Sequence, residues 1–215
     1  MQISCVFDLD GTLINSLADI AASCNFALEK LGFPTYETEQ YRFFVGDGAA
    51  KLVERIVPAD SRTPAVLAET RRLFDEYYGA HYLDKTRPYD GVPELLRELK
   101  KRGIKLGVVS NKPDVFVKEL VAKLFGGAFD SVTGQREGIP RKPDPSGVLA
   151  CCREMDVDAA CCRYIGDSGV DMLTAKAAGA YGIGALWGFR GKDELLRDGA
   201  SALIASPLEL LDRVG

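Results

Sequence analysis

The feature that most constrains this chain is Ile3-Ser4-Cys5-Val6-Phe7, a short apolar run that breaks at once into Asp8-Leu9-Asp10-Gly11-Thr12-Leu13. A run this short, β-branched and aromatic, and stopped by turn residues, reads as a strand buried on both faces. Asp8 then stands at the carboxyl end of that strand, the edge of an open α/β sheet where ligands bind. Two carboxylates one residue apart repel each other if both stay ionised. Such a pair therefore implies a bound cation, a shared proton, or separate roles for the two groups.

Beyond Gly11-Thr12 the pattern turns helical. Ile14, Leu17, Ile20, Ala21, Cys24, Ala27, Leu28 and Leu31 recur three and four apart, and Gly32 with Pro34 ends the helix. Further helical patterns run from Ala49 to about Val57 and from about Ala65 to Tyr78. No convincing strand falls between Asp10 and about Arg87, far too long a stretch for an ordinary crossover. Residues 14–87 are therefore expected to be a helical insert. From Pro88-Tyr89-Asp90-Gly91 onward, strand and helix alternate: helix 92–100, strand Ile104–Val109, helix 113–124, strand 131–133, helix to Met155, strand 163–166, helix 170–178, strand 181–186, helix 193–197, strand 202–205, and a terminal helix from Pro207. That alternation predicts an α/β fold, a Rossmann-like parallel sheet flanked by helices, built from residues 1–13 and 88–215.

Composition narrows the function. The chain has 215 residues, a net charge of -4 and no basic cluster, which argues against nucleic-acid and polyanionic-surface partners. No leader and no apolar run of the roughly 20 residues a bilayer needs is present, so the expectation is a cytoplasmic protein without a membrane partner. Six cysteines occur, but Cys151-Cys152 and Cys161-Cys162 are adjacent pairs, lacking the spacing that lets two thiolates share a zinc. They are expected to be reduced thiols. His81, the single histidine, lies in a polar stretch and receives no catalytic role.

Asp8, Ser110 and Asp167 each follow an apolar strand, while Lys142 and Asp171 fall in the approach to a helix or its first turn; a parallel sheet brings all of them to one edge. Each has a plainer explanation: Asp10-Gly11 as a turn, Ser168 with Asp171 as a capping box, Asp144 as an N-cap. Capping does not explain why a serine, a lysine and several acids meet at one end of a sheet. Phosphoryl transfer does. A strand-end carboxylate can attack phosphorus if a cation offsets the repulsion, and Mg2+ takes a few carboxylates together with waters and a phosphate oxygen. Asp8 and Asp167 can supply the carboxylates, and Asp171 can order a metal-bound water. Lys142, with Ser110 and the groups that follow it at Asn111, can hold phosphate, and Asp10 can exchange protons.

Asp8-Leu9-Asp10-Gly11-Thr12-Leu13, Ser110-Asn111-Lys112, Lys142-Pro143-Asp144-Pro145 and Gly166-Asp167-Ser168-Gly169-Val170-Asp171 resemble, in order, the four motifs of the haloacid dehalogenase superfamily of phosphohydrolases. That resemblance implies Asp8 as nucleophile, Asp10 as general acid and base, Ser110 and Lys142 as phosphate ligands, and Mg2+ held by Asp8, the Asp10 backbone carbonyl and Asp167. It also implies that the insert is a helical cap that closes over the site and selects substrate. Aspartate rather than an aromatic residue at position 10 speaks against the dehalogenases themselves. The stretch Phe44 to Arg55 resembles the cap of phosphoglycolate phosphatases. Gly46, Asp47 and Gly48 would then form a loop leaving the amides of the Ala49 helix open to an anion; the same stretch also reads as a plain loop with Asp47 as N-cap. The expected partner is a small phosphorylated metabolite, and the expected state a monomer or homodimer. Alternatives are a sugar-phosphate mutase resembling β-phosphoglucomutase, a pyrophosphatase or nucleotidase, and, from another class, a phospho-accepting signalling receiver domain.

Overall fold

A computed structural model describes residues 3–214. Along the chain the strands are β1 (Ser4–Phe7), β2 (Ile14–Asn15), β3 (Arg87–Pro88), β4 (Lys105–Pro113), β5 (Ser131–Gln135), β6 (Cys162–Gly166), β7 (Tyr181–Ala185) and β8 (Ala202–Ile204). The α-helices are α1 (Leu17–Lys30), α2 (Ala49–Ile56), α3 (Pro64–His81), α4 (Val92–Lys101), α5 (Asp114–Phe125), α6 (Ser146–Glu154), α7 (Gly169–Ala178) and α8 (Lys192–Arg197). Two compact units result. One takes the chain up to Ile14 and from Pro88 onward, and the other is Asn15–Arg87.

The first unit is a six-stranded sheet in the order β5-β4-β1-β6-β7-β8, with every neighbouring pair parallel. The chain fills one side of β1 with β4 and β5, then returns to fill the other side with β6, β7 and β8. The switch point therefore falls at β1, where ligands of such sheets bind. Register does the rest. Phe7 is level with Val108 on one side and Ile165 on the other, and the Asp8 N–H donates to the Ile165 carbonyl at 2.9 Å. Asp8 thus leaves the sheet beside the start of the Asp167 loop and just short of Ser110. Apolar faces of the flanking helices cover the sheet, with Leu95, Leu96 and Leu99 of α4, Val117, Leu120 and Val121 of α5, and Val148, Cys151 and Cys152 of α6 all buried. The six cysteines are free thiols, five of them buried. Burial pushes the Cys5 and Cys151 thiols up to about 12, which keeps them unreactive.

The structure departs locally from the sequence expectation, first at Ile14–Asn15, which form strand β2 so that the first helix starts only at Leu17. β4 does not stop at Val109: Ser110-Asn111-Lys112 continue the strand, which shifts register against β5 between Val109 and Pro113. Periodicity ended the strand where polar residues begin, but their partners are distant in sequence and so invisible to a local pattern. Asp144 is one residue short of the cap position of α6; its Oδ1 instead accepts the Ser146 N–H at 2.9 Å in a turn around Pro145. The final stretch, Pro207–Arg213, winds as a 3-10 rather than an α-helix.

The second unit is α1, α2 and α3 with two 3-10 turns, Thr38–Phe43 and Ala59–Ser61. Ile20, Ala21, Cys24, Ala27 and Leu28 form the buried stripe of α1, and Leu73, Phe74 and Tyr78 that of α3; Phe26 stacks on Tyr77 with ring centroids 4.5 Å apart. The buried Asp19 side chain accepts the N–H groups of Lys85 and Thr86 and the Thr86 hydroxyl at 2.7 to 3.0 Å, fastening the end of the unit to its first helix. Surface charge on α3 is engaged in helical pairs such as Arg71–Asp75 and Arg72–Glu76, which solvent screens. Among the described residues no helix is long and apolar enough to cross a membrane.

Candidate active site

The turn after β1 is built on one carbonyl. The N–H groups of Thr12, Leu13 and Ile14 all lie 2.9 to 3.3 Å from the Leu9 oxygen, and the Gly11 N–H returns to the Ile14 oxygen at 2.9 Å. Gly11 holds φ of 90°, and a Cβ there would overlap the Asp167 carboxylate. Only glycine admits Asp167 this close to the Asp8–Asp10 turn.

Lys142 sits at the centre. Its side chain is 4% exposed, and Nζ lies 2.7 Å from Asp8 Oδ1 and 2.7 Å from Asp171 Oδ1. Nζ also donates to the Tyr164 hydroxyl at 3.2 Å. Asp171 is the expected capping-box partner of Ser168 and also pairs with Lys142. Its Oδ2 accepts the Ser168 N–H and hydroxyl at 3.1 and 2.6 Å, completing the capping box of α7, while Oδ1 takes Lys142. Asp167, 2% exposed, accepts the Thr12 hydroxyl on Oδ1 at 3.1 Å and the Phe189 N–H on Oδ2 at 2.7 Å.

The Ser110 segment divides its labour. Ser110 Oγ accepts the Lys112 N–H at 3.2 Å. The Asn111 side chain grips the Lys142 backbone from both ends, its Oδ1 accepting the Lys142 N–H at 2.9 Å and its Nδ2 donating to the Lys142 carbonyl at 3.2 Å. Asn111 therefore places Lys142. Lys112 Nζ donates to both oxygens of Asp10 at 2.9 and 3.1 Å, fixing that carboxylate. Sequence reasoning gave no role to Lys112, Tyr164 or Thr12, nor to Trp187-Gly188-Phe189 after β7. The last had a usable signal, since it follows an apolar strand at the same sheet edge as Asp8 and Asp167.

The electrostatics follow from burial and crowding of the acids. Burial, reinforced by the negative charges of Asp171 and Asp10, pushes the Asp8 carboxyl up to about 7 although Lys142 pulls the other way. Burial also raises Asp167 well above the carboxylate range, with Asp171 and Asp8 adding repulsion against the Phe189 and Thr12 hydrogen bonds. For Lys142, burial disfavours its charge, yet Asp171 and Asp8 hold its ammonium well above the usual lysine range. Oxygens of Asp8, Asp167 and Asp171 all lie within 4.8 Å of one another. Asp8 and Asp171 share one ammonium while Asp167 has neutral donors, so this acid cluster keeps negative charge, and hard oxygen donors in this number suit a divalent cation such as Mg2+. The residues fit the ion that the sequence implied.

In the helical unit, Gly46 and Gly48 hold φ of 118° and 83°. Gly48, not Asp47, is the N-cap of α2, and no side chain caps that helix start. Asp47 turns instead to Arg55, whose Nη1 also donates to the Phe44 carbonyl at 2.9 Å, so Asp47 and Arg55 brace the loop.

Comparison with known proteins places the chain in a family. The sequence model of the haloacid dehalogenase-like hydrolases matches residues 5–185. A phosphoglycolate phosphatase of Vibrio parahaemolyticus is 32% identical over 214 residues, 97% of this chain and 94% of that protein. One of Haemophilus influenzae is 35% identical over 191 residues, 85% of each. The crystal structure of a proposed phosphoglycolate phosphatase from Lactobacillus delbrueckii subsp. bulgaricus superposes with a TM-score of 0.94 at 31% identity, covering 100% of this chain and 99% of that one.

Proposed function

The chain belongs to the haloacid dehalogenase-like hydrolase family and is a phosphoric monoester hydrolase; on that premise we propose that it cleaves a small phosphomonoester, with 2-phosphoglycolate the foremost candidate, through an aspartyl-phosphate on Asp8. Membership of a hydrolase family leaves no place for the signalling-receiver alternative. One observation carries the mechanistic reading: a buried strand-end carboxylate, Asp8, is held 2.7 Å from a buried ammonium, Lys142, and faces a second buried acid, Asp167, at the switch point of the sheet.

Asp8 attacks phosphorus while Asp10 gives its proton to the departing alkoxide, so the P–O bond to the alcohol breaks as the bond to Asp8 forms. Asp10 then takes a proton from the water that attacks the aspartyl-phosphate, which returns both acids to their starting state. Lys112 holds the Asp10 carboxyl group in place and pairs with its charge once the proton has passed to the alkoxide. Lys142 neutralises phosphate charge, and Asn111 fixes the backbone that carries it. Mg2+, held by Asp8, Asp167 and the Asp10 carbonyl with Asp171 close by, would supply charge neutralisation to the phosphate oxygens.

Substrate choice is assigned to the helical unit. The names of the relatives favour 2-phosphoglycolate, and so does the start of α2, where Gly48 leaves the first-turn amides without a side-chain cap, a setting that favours a carboxylate. The test is release of inorganic phosphate, with Mg2+ present, from 2-phosphoglycolate, pyrophosphate, nucleoside monophosphates and sugar phosphates. The largest kcat/KM is expected for 2-phosphoglycolate. A preference for another ester moves the substrate, and an isomerised sugar phosphate in place of free phosphate overturns the hydrolase reading in favour of a mutase.

A further inference from the structure

The segment that joins β7 to α8 does more than connect them. Asp167 is gripped on both oxygens, by the Thr12 hydroxyl on Oδ1 at 3.1 Å and by the Phe189 N–H on Oδ2 at 2.7 Å. These two grips are not independent. The Trp187 indole N–H donates to the Thr12 carbonyl at 3.0 Å, so the turn that holds one oxygen of Asp167 is also bonded to the segment that holds the other, two residues before Phe189. On its far side, Arg190 Nε lies 3.4 Å from Glu194 Oε1, and that oxygen accepts the Gly169 N–H at 3.0 Å. The segment is thus tied to the loop after β1 and to the start of α7, two residues beyond Asp167.

Gly188 shows how close the approach is. A Cβ there would overlap both the Asp167 Cβ and the Gly11 carbonyl oxygen. A turn needed only to connect a strand to a helix has no reason to press its backbone onto a buried carboxylate that another loop already holds. With one hydrogen bond on each oxygen, the carboxylate cannot rotate, and its remaining lone pairs keep a set direction. Outer-sphere hydrogen bonds of this kind orient metal ligands, and losing one lowers metal affinity by about 10- to 100-fold.

We propose that Trp187-Gly188-Phe189 is the positioning element that fixes Asp167 for a divalent cation, and that Trp187 reports the binding of that cation. The inference rests on the assignment of Asp167 as a metal ligand in the proposed function. None of these three residues is a catalytic residue; they act through Asp167 and Thr12.

The test uses the full chain stripped with a chelator and titrated with Mg2+ alone. Binding is followed by calorimetry and by the fluorescence of Trp187, the single tryptophan of the chain. In the wild type a saturable fluorescence change is expected at the calorimetric midpoint; a flat signal through saturation overturns the reporter role. Gly188→Ala is expected to bind Mg2+ about 10- to 100-fold more weakly while keeping the wild-type circular dichroism. Trp187→Phe, read by calorimetry, is expected to lose about tenfold, towards the lower end of that range. Wild-type affinity in a folded Gly188→Ala overturns the proposal, and if that variant does not fold, wild-type affinity in Trp187→Phe does so by the same criterion. Asp167→Asn separates the two layers. Unchanged Mg2+ binding in Asp167→Asn would defeat the metal assignment itself, whereas loss there beside wild-type affinity in the turn variants would defeat only the positioning role.

Discussion

Two buried acids in this chain are treated in opposite ways. Asp19, 3% exposed in the helical unit, has its charge answered by two backbone N–H groups and a hydroxyl from Lys85 and Thr86, all within that unit. Asp167, 2% exposed at the sheet edge, also accepts two hydrogen bonds, yet it faces Asp8 and Asp171 and is raised well above the carboxylate range by burial and their repulsion. Both are satisfied in hydrogen bonding. Only Asp167 stands among other buried acids. A carboxylate surrounded by donors alone is structural, and one set among other buried acids has the donor chemistry of a cation site.

The contrast can be broken from either side. Asp8→Asn is expected to lower kcat by at least about 10^4-fold, the scale of removing a covalent nucleophile, with the fold retained; a steady-state assay beside circular dichroism checks both. Asp19→Ala should do the reverse. Loss of its charged hydrogen bonds, leaving the Thr86 groups unpaired, is expected to cost at least about 3 kcal/mol in a denaturant titration, with kcat of the folded fraction within about threefold. A large kcat loss for Asp19→Ala would mean that the two acids do not divide as described.

Asp167→Asn sharpens the comparison through pH. The folded protein holds the Asp167 proton more tightly than the unfolded chain does. Metal-free stability contributed by this group is therefore greatest below the ordinary carboxylate value of 3.8 and falls as pH rises through the higher folded value. Asparagine has no such loss. In chelator the variant is expected to gain on the wild type by a few degrees in Tm between about pH 4 and pH 8, and saturating Mg2+ should reverse the order by stabilising only the wild type. Parallel Tm curves would show that Asp167 carries no uncompensated charge. The smallest effect belongs to the helical loop: Asp47→Ala removes a half-exposed pair with Arg55, worth about 1 kcal/mol or less. A rise in KM for 2-phosphoglycolate without a matching fall in kcat is the expected sign that this loop serves specificity.

How legible these regions were follows from what local sequence can encode. Apolar runs ending in acids exposed β1 and β6, hence Asp8 and Asp167, because burial on both faces and a turn are short-range properties. The Ser168–Asp171 capping box was legible for the same reason. Its second duty was not, since Lys142 lies 29 residues away. Lys112 defeated the pattern outright: a lysine should end a buried strand, and it continues one because Asp10, 102 residues earlier, receives its charge. Asn111 was legible as a polar residue at the phosphate end of the sheet, but its side chain serves the Lys142 backbone. Asp47 looked like a cap until Gly48 took that position and Arg55 took Asp47. Motif order identified the family; the pairings that make the motifs work belong to the fold.

If Asp8 carries the phosphoryl group, turnover passes through an acyl phosphate that can be trapped. Borohydride added to an acid-quenched turnover mixture reduces an aspartyl-phosphate to homoserine, and peptide mass spectrometry locates it. Homoserine is expected at position 8 in the wild type when substrate is present and nowhere when it is omitted. Sustained phosphate release with unmodified aspartate at position 8, or with homoserine at another position, would contradict that role for Asp8.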